Sequence, residues 1–349
     1  MKHPHTRRLS TTLLLSVALT AAIISGCYRL HLPTTSRWLC MGTTVTVTLR
    51  ANQPERLATI RPIVAQALTE IETDLSIFRP NSTLAIINAT AGHGTPILLS
   101  TNAANGIALA CHWAAVSQGA FDPTIGPLMN LWGFRSKTIT EPPTPHSITQ
   151  TLSRIGWTAI HLHPATATNP ATAHLTKPGM HLDLGGIAKG QAVDLAWHRL
   201  RLNHQTDFLI DLGGNMRVHG TPHPSAKGWR IGIRNPFTSQ DHLDIGTIIL
   251  TNGQAVATSG NYEQYVELNG KRYTHIIDPR TGWPVSGIAS VTVVAPDATT
   301  ADALSTTLFV IGPQAGLKLL QTLPGCHALW IPDTQPISPI TSPGLKLQK

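Results

Sequence analysis

A series of short β-rich runs in the second half of the chain restricts the possible fold most strongly. The runs are DFLIDLGG, WRIGIRNP, IGTIILTNGQAVATSG, YVELNGKRYTHIID and ASVTVVAP, and Gly, Asn or Pro bounds or interrupts each of them. Residues of this kind end strands and form the turns between them. The pattern therefore predicts mostly antiparallel sheet.

Other segments show the apolar period of a helix. They predict helices over 54–75, 102–117 and 187–202 and a small helix over 147–155, whereas Gly and Pro make 119–134 a loop. About 320 residues remain after removal of the N-terminal signal described below, which suits one large domain or two intimate ones. We expect an α+β fold with helices packed on the sheets.

The N-terminus has the features of a bacterial export signal. Basic residues precede an apolar run, Leu13 to Ile24, that is too short to span a bilayer comfortably. The run ends in Ile-Ser-Gly-Cys, which resembles the lipobox of bacterial lipoproteins. We expect residues 1–26 to be removed and Cys27 to carry the lipid; the alternative is an ordinary cleaved signal with an incidental cysteine.

Charge and cysteine content exclude several classes of function. Loss of residues 1–26 removes three positive charges and no acidic ones, so the net charge falls from +8 to +5. No basic cluster with interleaved aromatic residues indicates nucleic acid. Cys40, Cys111 and Cys326 form no CxxC pair, and the histidines are scattered without metal-ligand spacing, so neither a disulfide framework nor a zinc site is indicated.

The segment HIIDPRTG and the run ATTADALSTTLFVI carry the residues best suited to phosphate chemistry. The first contains His275, Asp278 and Arg280. In the second, Asp302 and Thr306 are four residues apart and share a helix face, which gives two oxygen ligands suited to Mg²⁺. Alternatively, Asp302 stabilises the start of a helix that Thr299 or Thr300 caps, and Thr306 is a small core residue.

Two glycine-rich motifs offer sites for an anion. In GAFDPTIGPL, tight turns could free backbone amides for a ligand, or the Asp122 side chain could simply cap its own turn. In LDLGGIAKG, Lys189 stands in the first turn of a helix, which is a ready anion site, and the carbonyl of Gly186 could complete a metal shell. Alternatively, the glycines of this second motif form only an ordinary turn between a strand and a helix.

These motifs together resemble a known family. MGTT, GAFDPTIGPL, LDLGGIAKG, GGN, ATSG, HIIDPRTG and ADALST occur in the order seen in the bacterial flavin transferases of the ApbE type. The resemblance implies a single large domain of two intimate subdomains over residues 38–332. Residues 27–37 would then be a lipid-anchored tether, and 333–349 a peripheral Pro-rich extension.

The resemblance also implies an activity and a set of site residues. Such enzymes transfer the FMN half of FAD to a Thr or Ser hydroxyl of a partner protein and release AMP, with Mg²⁺ as cofactor. By the family pattern, Asp302, Thr306 and the Gly186 carbonyl hold the metal. FAD would lie against Met41, Phe78, Ala120, Phe121, Asp122, Asp183, Lys189, Thr258 and His275.

Several alternatives follow from the same residues. His275 would accept the proton of the incoming hydroxyl, or it would only bind a phosphate or orient Asp278. Arg280 would stabilise phosphate charge or buttress the turn with Asp278. FAD hydrolysis to FMN and AMP, and a non-catalytic FAD-binding lipoprotein, are the rival functions.

The resemblance and the lipobox together predict partners and a location. The expected acceptors are subunits of membrane electron-transfer complexes with an exposed Ser or Thr. The lipid on Cys27 would anchor the protein in the bacterial cell envelope, at the periplasmic side of the inner membrane.

Overall fold

The structure is a computed structural model that describes residues 33–50, 53–135, 138–238 and 244–348. The strands are β1 (Thr34–Cys40), β2 (Thr43–Leu49), β3 (Ile97–Leu98), β4 (Ile160–His163), β5 (Thr172–Leu175), β6 (Phe208–Leu212), β7 (Asn215–His219), β8 (Trp229–Arg234), β9 (Asp244–Leu250), β10 (Ala255–Gly260), β11 (Tyr265–Leu268), β12 (Lys271–Thr274), β13 (Ile288–Ala295), β14 (His327–Pro332) and β15 (Ile340–Thr341). The helices are α1 (Pro54–Leu75), α2 (Thr83–Ala89), α3 (Thr101–Val116), α4 (Gly126–Leu131), α5 (Pro145–Leu152), α6 (Ala188–Leu202) and α7 (Ala298–Leu320).

One large antiparallel sheet runs through the domain. Its strand order is β1-β2-β6-β7-β10-β13-β14-β15, and the pairs β8–β9 and β11–β12 and the small sheet β3-β5-β4 are antiparallel as well. The two halves of the chain share the large sheet. The predicted α+β class, with mostly antiparallel sheet in one large domain, is therefore confirmed.

The two faces of the large sheet bury different cores. Along β10, Ala255 and Ala257 face the main core, which the helices α1, α6 and α7 cover. Val256 faces the opposite side, where the β8–β9 pair closes a second core. This alternation follows from the two-residue period of a strand, so residues of one strand reach both sides of the sheet.

The N-termini of α6 and α7 meet closely, and a buried carboxylate fixes the junction. A Cβ on Gly190 would lie 2.3 Å from the Ala298 carbonyl oxygen, so only glycine allows this approach. The Asp194 carboxylate accepts hydrogen bonds from the amides of Ala298 and Thr299 at 2.9 and 2.8 Å and pairs with Arg217. These contacts place the first turn of α7 beside the first turn of α6.

Asp297 is the residue that caps α7. Its side chain accepts a hydrogen bond from the Thr300 amide at 2.7 Å. The prediction that Thr299 or Thr300 would be the cap is therefore wrong by a few residues, because the chain enters the helix one turn earlier. α7 is long and apolar enough to cross a membrane, but half of that stretch is buried inside the domain, as in a core helix.

Two boundaries in the first half of the chain differ from the sequence-based expectation. β1 begins at Thr34, inside the predicted tether, because it pairs along its whole length with β2. The predicted loop 119–134 contains the helix α4, which starts at Gly126 with Pro127 in its first turn, a favourable position for proline.

The C-terminal segment is part of the folded domain. β15 pairs with β14, Leu345 and Leu347 pack on the second core, and Gln348 exchanges two backbone hydrogen bonds with Thr247. The Pro-rich extension is therefore not peripheral. The lipobox and Cys27 lie outside the described residues.

Candidate active site

A cleft of about 890 Å³ collects the residues that the sequence analysis selected. The N-terminal turns of α6 and α7, the β1–β2 turn and the segment after α1 all contribute to its lining. All of the predicted flavin and metal residues within the described chain are in its lining: Met41, Phe78, Ala120, Phe121, Asp122, Asp183, Gly186, Lys189, Thr258, His275, Asp302 and Thr306. A cavity of this volume is within the range of pockets that bind organic ligands.

Asp302 is the most deeply buried acid of the cleft. Its side chain accepts a hydrogen bond from the Gly190 amide at 2.9 Å, and the other carboxylate oxygen lies 3.6 Å from Lys189 Nζ. Burial raises its pKa, while Lys189 and the Gly190 amide act in the opposite direction. The carboxylate thus stabilises the start of α6, whereas the alternative interpretation expected it to stabilise the start of its own helix, α7.

The Asp302 carboxylate, the Thr306 hydroxyl and the Gly186 carbonyl, called the oxygen group below, fit a Mg²⁺ site. A Cβ on Gly186 would lie 3.2 Å from Thr306 Oγ1, which shows how closely this backbone approaches the hydroxyl. Ser259 Oγ lies 3.4 Å from Thr306 Oγ1 and 2.7 Å from Ser305 Oγ. A single carboxylate with neutral oxygen donors suits Mg²⁺, which completes its shell with water and phosphate oxygens. No group of three His, Cys, Asp or Glu that could hold a metal exists among the described residues.

His275 is held in one orientation at the edge of the cleft. Its Nδ1 lies 3.0 Å from the Gln264 carbonyl oxygen, and its backbone amide donates to the same carbonyl. Because a carbonyl only accepts, Nδ1 carries the proton in the neutral ring and Nε2 is left with a lone pair. Burial, with Arg135 and Lys189 nearby, lowers the pKa of His275 to about 4. The imidazole is therefore neutral at pH 7.

The carboxylates of Asp122 and Asp183 both form hydrogen bonds within the protein. Asp122 accepts hydrogen bonds from the Thr124 amide and hydroxyl and from the Trp157 amide. Its side chain thus organises its own turn, which was one of the two readings. Asp183 pairs with Arg135 at 2.7 Å and accepts from the Gly185 amide at 2.9 Å, so it shapes the glycine turn that leads into α6.

The HIIDPRTG turn is held by its own charged pair. Arg280 donates two hydrogen bonds to the Asp278 carboxylate, at 2.9 and 2.8 Å. Neither side chain lines the cleft. Of the two roles considered for Arg280, the structure supports the buttress. His275 contacts Gln264 rather than Asp278, which removes the orienting role considered for it.

Two predicted flavin contacts lie at the mouth of the cleft. The Phe78 side chain is 71% exposed, so it presents a free aromatic face at the rim. Met41 has a positive φ of 50° in the tight β1–β2 turn. An exposed aromatic face beside an open cleft is suited to stacking against a flat heteroaromatic ring.

Sequence reasoning missed several residues of the cleft. Arg135 follows a glycine-rich loop without any recognisable motif; it lines the cleft and forms an ion pair with Asp183. Glu263 also lines the cleft, and burial raises the pKa of its carboxyl. For Ser259, the ATSG motif suggests that its hydroxyl, like that of Thr258, binds phosphate or ribose; strand alternation instead turns it toward Ser305 and Thr306 on α7.

The comparison with protein families decides the classification. The model of the ApbE family matches residues 41–330, which is most of the chain. The chain belongs to the ApbE family. The FAD:protein FMN transferase of Haemophilus influenzae is 36% identical over 258 residues, 73% of each chain. The enzyme of the same name from Treponema pallidum is 35% identical over 275 residues, covering 76% of this chain and 74% of that protein.

Solved structures of ApbE proteins share this fold. The flavin transferase ApbE from Vibrio cholerae superposes with a TM-score of 0.76 at 29% identity, over 90% of this chain and 98% of the other. The ApbE protein from Thermotoga maritima has a TM-score of 0.76 at 31% identity, over 89% and 97% of the two chains. The ApbE fold thus covers the domain from β1 to the C-terminal strands.

Proposed function

We propose that this ApbE-family chain transfers the FMN half of FAD to a Ser or Thr hydroxyl of a partner protein, releases AMP and requires Mg²⁺. The observation that carries the proposal is the meeting of the Asp302 oxygen group, Lys189 and the neutral His275 in one cleft. The names of the relatives, FAD:protein FMN transferase, support the same reaction.

Binding of FAD uses both ends of the cleft. The exposed Phe78 and the adjacent Met41 turn suit the isoalloxazine ring at the mouth. Lys189 and the positive end of the α6 dipole suit the negative pyrophosphate, because the N-terminus of a helix favours anions. This orientation places the bond between the two phosphates near Asp302 and Thr306.

The transfer breaks the pyrophosphate bond of FAD and forms one phosphoester bond with the acceptor. The acceptor oxygen attacks the phosphorus on the FMN side, the bond from that phosphorus to the bridging oxygen breaks, and AMP leaves with that oxygen. The hydroxyl proton passes to His275 Nε2, whose lone pair is free because Nδ1 is tied to Gln264. Lys189 stabilises the negative charge on the phosphates.

Mg²⁺, held by Asp302, Thr306 and the Gly186 carbonyl, would neutralise phosphate charge during the reaction. The donor set supports this assignment, since it contains one carboxylate and neutral oxygens only. Two other acids of the cleft are engaged by the protein: Asp183 pairs with Arg135, and Asp122 accepts hydrogen bonds from Thr124 and Trp157. Asp302, beside the Thr306 hydroxyl, would then be the anionic ligand.

The test is the intact mass of an acceptor. The purified domain is incubated with FAD, Mg²⁺ and the non-flavinylated soluble domain of a periplasmic electron-transfer subunit that carries a candidate Thr. We expect one FMN phosphoester per acceptor and none on the Thr→Val acceptor. FMN and AMP without an adduct would indicate the FAD pyrophosphatase, and unchanged FAD would indicate a carrier.

The place of action is part of the same proposal. Lipid on Cys27 would anchor the protein at the periplasmic side of the inner membrane, next to membrane electron-transfer complexes. Six residues, 28–33, lie between Cys27 and the start of β1 at Thr34, and the seven steps from Cα to Cα span at most about 25 Å. The domain would therefore work close to the membrane surface.

A further inference from the structure

A second, smaller cavity adjoins the active-site cleft on the opposite face of the large sheet. This side cavity of about 250 Å³ lies between β7, β10 and β13 on one side and β8 on the other. Met216, Val256 and Ile233 give it apolar walls, and Ser290 and Thr292 add hydroxyls. The function proposed above does not use it.

The side cavity and the cleft share one wall. Gly213, Thr258 and Glu263 line both. Glu263 lines the cleft together with Lys189 and Asp302, whose charges act on its pKa, one lowering and one raising it. The side cavity therefore meets the cleft along the wall that Gly213, Thr258 and Glu263 form.

A strand edge lies at this junction. β10 pairs with β13 along residues 255–260, but its pairing with β7 is confined to Ala255 and Val256. Within the described strands, residues 257–260 therefore lack a partner on the β7 side. A Cβ on Gly214, in the β6–β7 turn opposite, would meet nothing within 4 Å, so the space beside this edge is open. Free strand edges bind extended peptides through main-chain hydrogen bonds.

We propose that the side cavity binds the acceptor segment of the partner protein, extended along the free edge of β10, with the reacting hydroxyl directed past Glu263 into the cleft. This inference rests on the proposed function, which needs a second macromolecular substrate at the same centre. The flavin enters at the mouth near Phe78, and the acceptor enters from the other face of the sheet. Such an arrangement separates the two substrates until their reacting atoms meet.

The outer rim of the side cavity gives the segment a defined path. The Arg234 guanidinium lies 5.2 Å from the centre of the Tyr262 ring, and both residues line the cavity. A peptide in the cavity passes this planar pair before it reaches Glu263. Neither Arg234 nor Tyr262 lines the cleft, so the pair can act on the acceptor without touching the flavin.

The test fills the side cavity without altering the cleft. Met216 lines the cavity but not the cleft, and Met216→Trp adds bulk there, whereas Met216→Ala enlarges it. For Met216→Trp we expect KM for the acceptor domain to rise at least tenfold, with the Kd of FAD and the Tm unchanged. Met216→Ala should keep the wild-type KM within about threefold.

A measurement on the unmodified enzyme guards against misfolding of the variant. A photoreactive residue placed next to the acceptor Thr should cross-link to β7, β8 or β10 rather than to the segment around Phe78. Weaker FAD binding in Met216→Trp, an unchanged KM for the acceptor, or cross-links only at the mouth would each overturn the inference. A wild-type enzyme that forms no adduct would instead refute the proposed function, and this inference with it.

Discussion

At the residue scale, His275 decides whether the cleft can activate a hydroxyl. Its tautomer is fixed by the Gln264 carbonyl, and its pKa is lowered to about 4 by burial and by two cationic neighbours. Two roles were considered for it, proton acceptor and phosphate ligand. The first uses the free lone pair on Nε2, whereas the second needs a proton on Nε2, which the neutral ring does not carry while Nδ1 donates to Gln264.

His275→Gln separates these roles, because glutamine can donate a hydrogen bond to phosphate but cannot accept the proton. We expect transfer to fall by roughly 10²–10⁴-fold while FAD affinity changes little, as for loss of a general base. Single-turnover adduct formation measures the rate and fluorescence quenching measures the affinity. A rate within about threefold of wild type would assign His275 to phosphate binding.

The lowered pKa of His275 has a consequence for pH. The folded state binds this proton only near pH 4, whereas the unfolded chain binds it near the ordinary value of 6.5. The stability from this group is therefore complete above about pH 6.5 and is lost as the pH falls toward 4. NMR of the labelled imidazole should show a neutral ring at pH 5.5. A protonated ring at that pH would contradict the electrostatics described above.

Asp302 is the residue that makes the cleft suitable for Mg²⁺. Asp302→Asn keeps the shape and the acceptor for the Gly190 amide but removes the charge. We expect the rate of FMN transfer to fall about a hundredfold or more, and we expect the rate no longer to saturate as the Mg²⁺ concentration is raised. Thr306→Ser, which keeps the hydroxyl, is the matched control and should retain near wild-type activity. Full activity of Asp302→Asn at the same Mg²⁺ concentration would exclude this ligand set.

The residues of the site were predictable where the chemistry is local. The glycine turn of LDLGGIAKG identified Lys189, and the four-residue spacing from Thr306 identified Asp302, whereas Asp183 followed from the family resemblance. Arg135 and Glu263 were not predictable, because their place in the cleft depends on the long-range contacts with Asp183 and Lys189 rather than on neighbours in the sequence.

At the element scale, the junction of α6 and α7 positions the oxygen group. Asp194 on α6 binds the first amides of α7 and pairs with the buried Arg217, while Asp297 caps α7 from its own chain end. Periodicity predicted α6 within one residue and the first part of α7, residues 298–311, but not its continuation to Leu320. It could not predict their contact, which depends on the missing side chain of Gly190.

The two acids at this junction should differ in their effect on stability. Asp194→Asn leaves the Arg217 charge buried without a partner, and we expect the free energy of unfolding to fall by about 3–5 kcal/mol. Asp297→Asn keeps a good capping residue and should cost less than about 1 kcal/mol. Urea unfolding measures both. Equal effects would show that the buried ion pair contributes no more than the cap.

At the scale of the whole molecule, the two faces of the large sheet are covered by different elements. The helices cover the face of the main core, and β8, β9 and the C-terminal segment cover the face of the second core. The run of β-rich segments predicted the class of fold. Strand order and the return of residues 340–348 to the sheet could not be predicted, because short polar strands carry no signal for their distant partners.

Removal of residues 334–349 tests the role of the C-terminal segment. The truncation uncovers the edge of β14 and the second core near Leu329, so we expect Tm to fall by about 5 °C or more. FAD affinity should stay the same, since no residue of the segment lines the cleft. An unchanged Tm would show that this segment does not contribute to the thermal stability of the domain.

The source of the oxygen in the products tests the central claim most directly. The reaction is run with the acceptor domain in water enriched in oxygen-18, and the masses of AMP and of the FMN adduct are measured. Transfer to a protein hydroxyl predicts equal amounts of adduct and AMP, both without the heavy isotope. Heavy oxygen in FMN or AMP would show that water is the nucleophile, and it would contradict the assignment of this cleft to protein flavinylation.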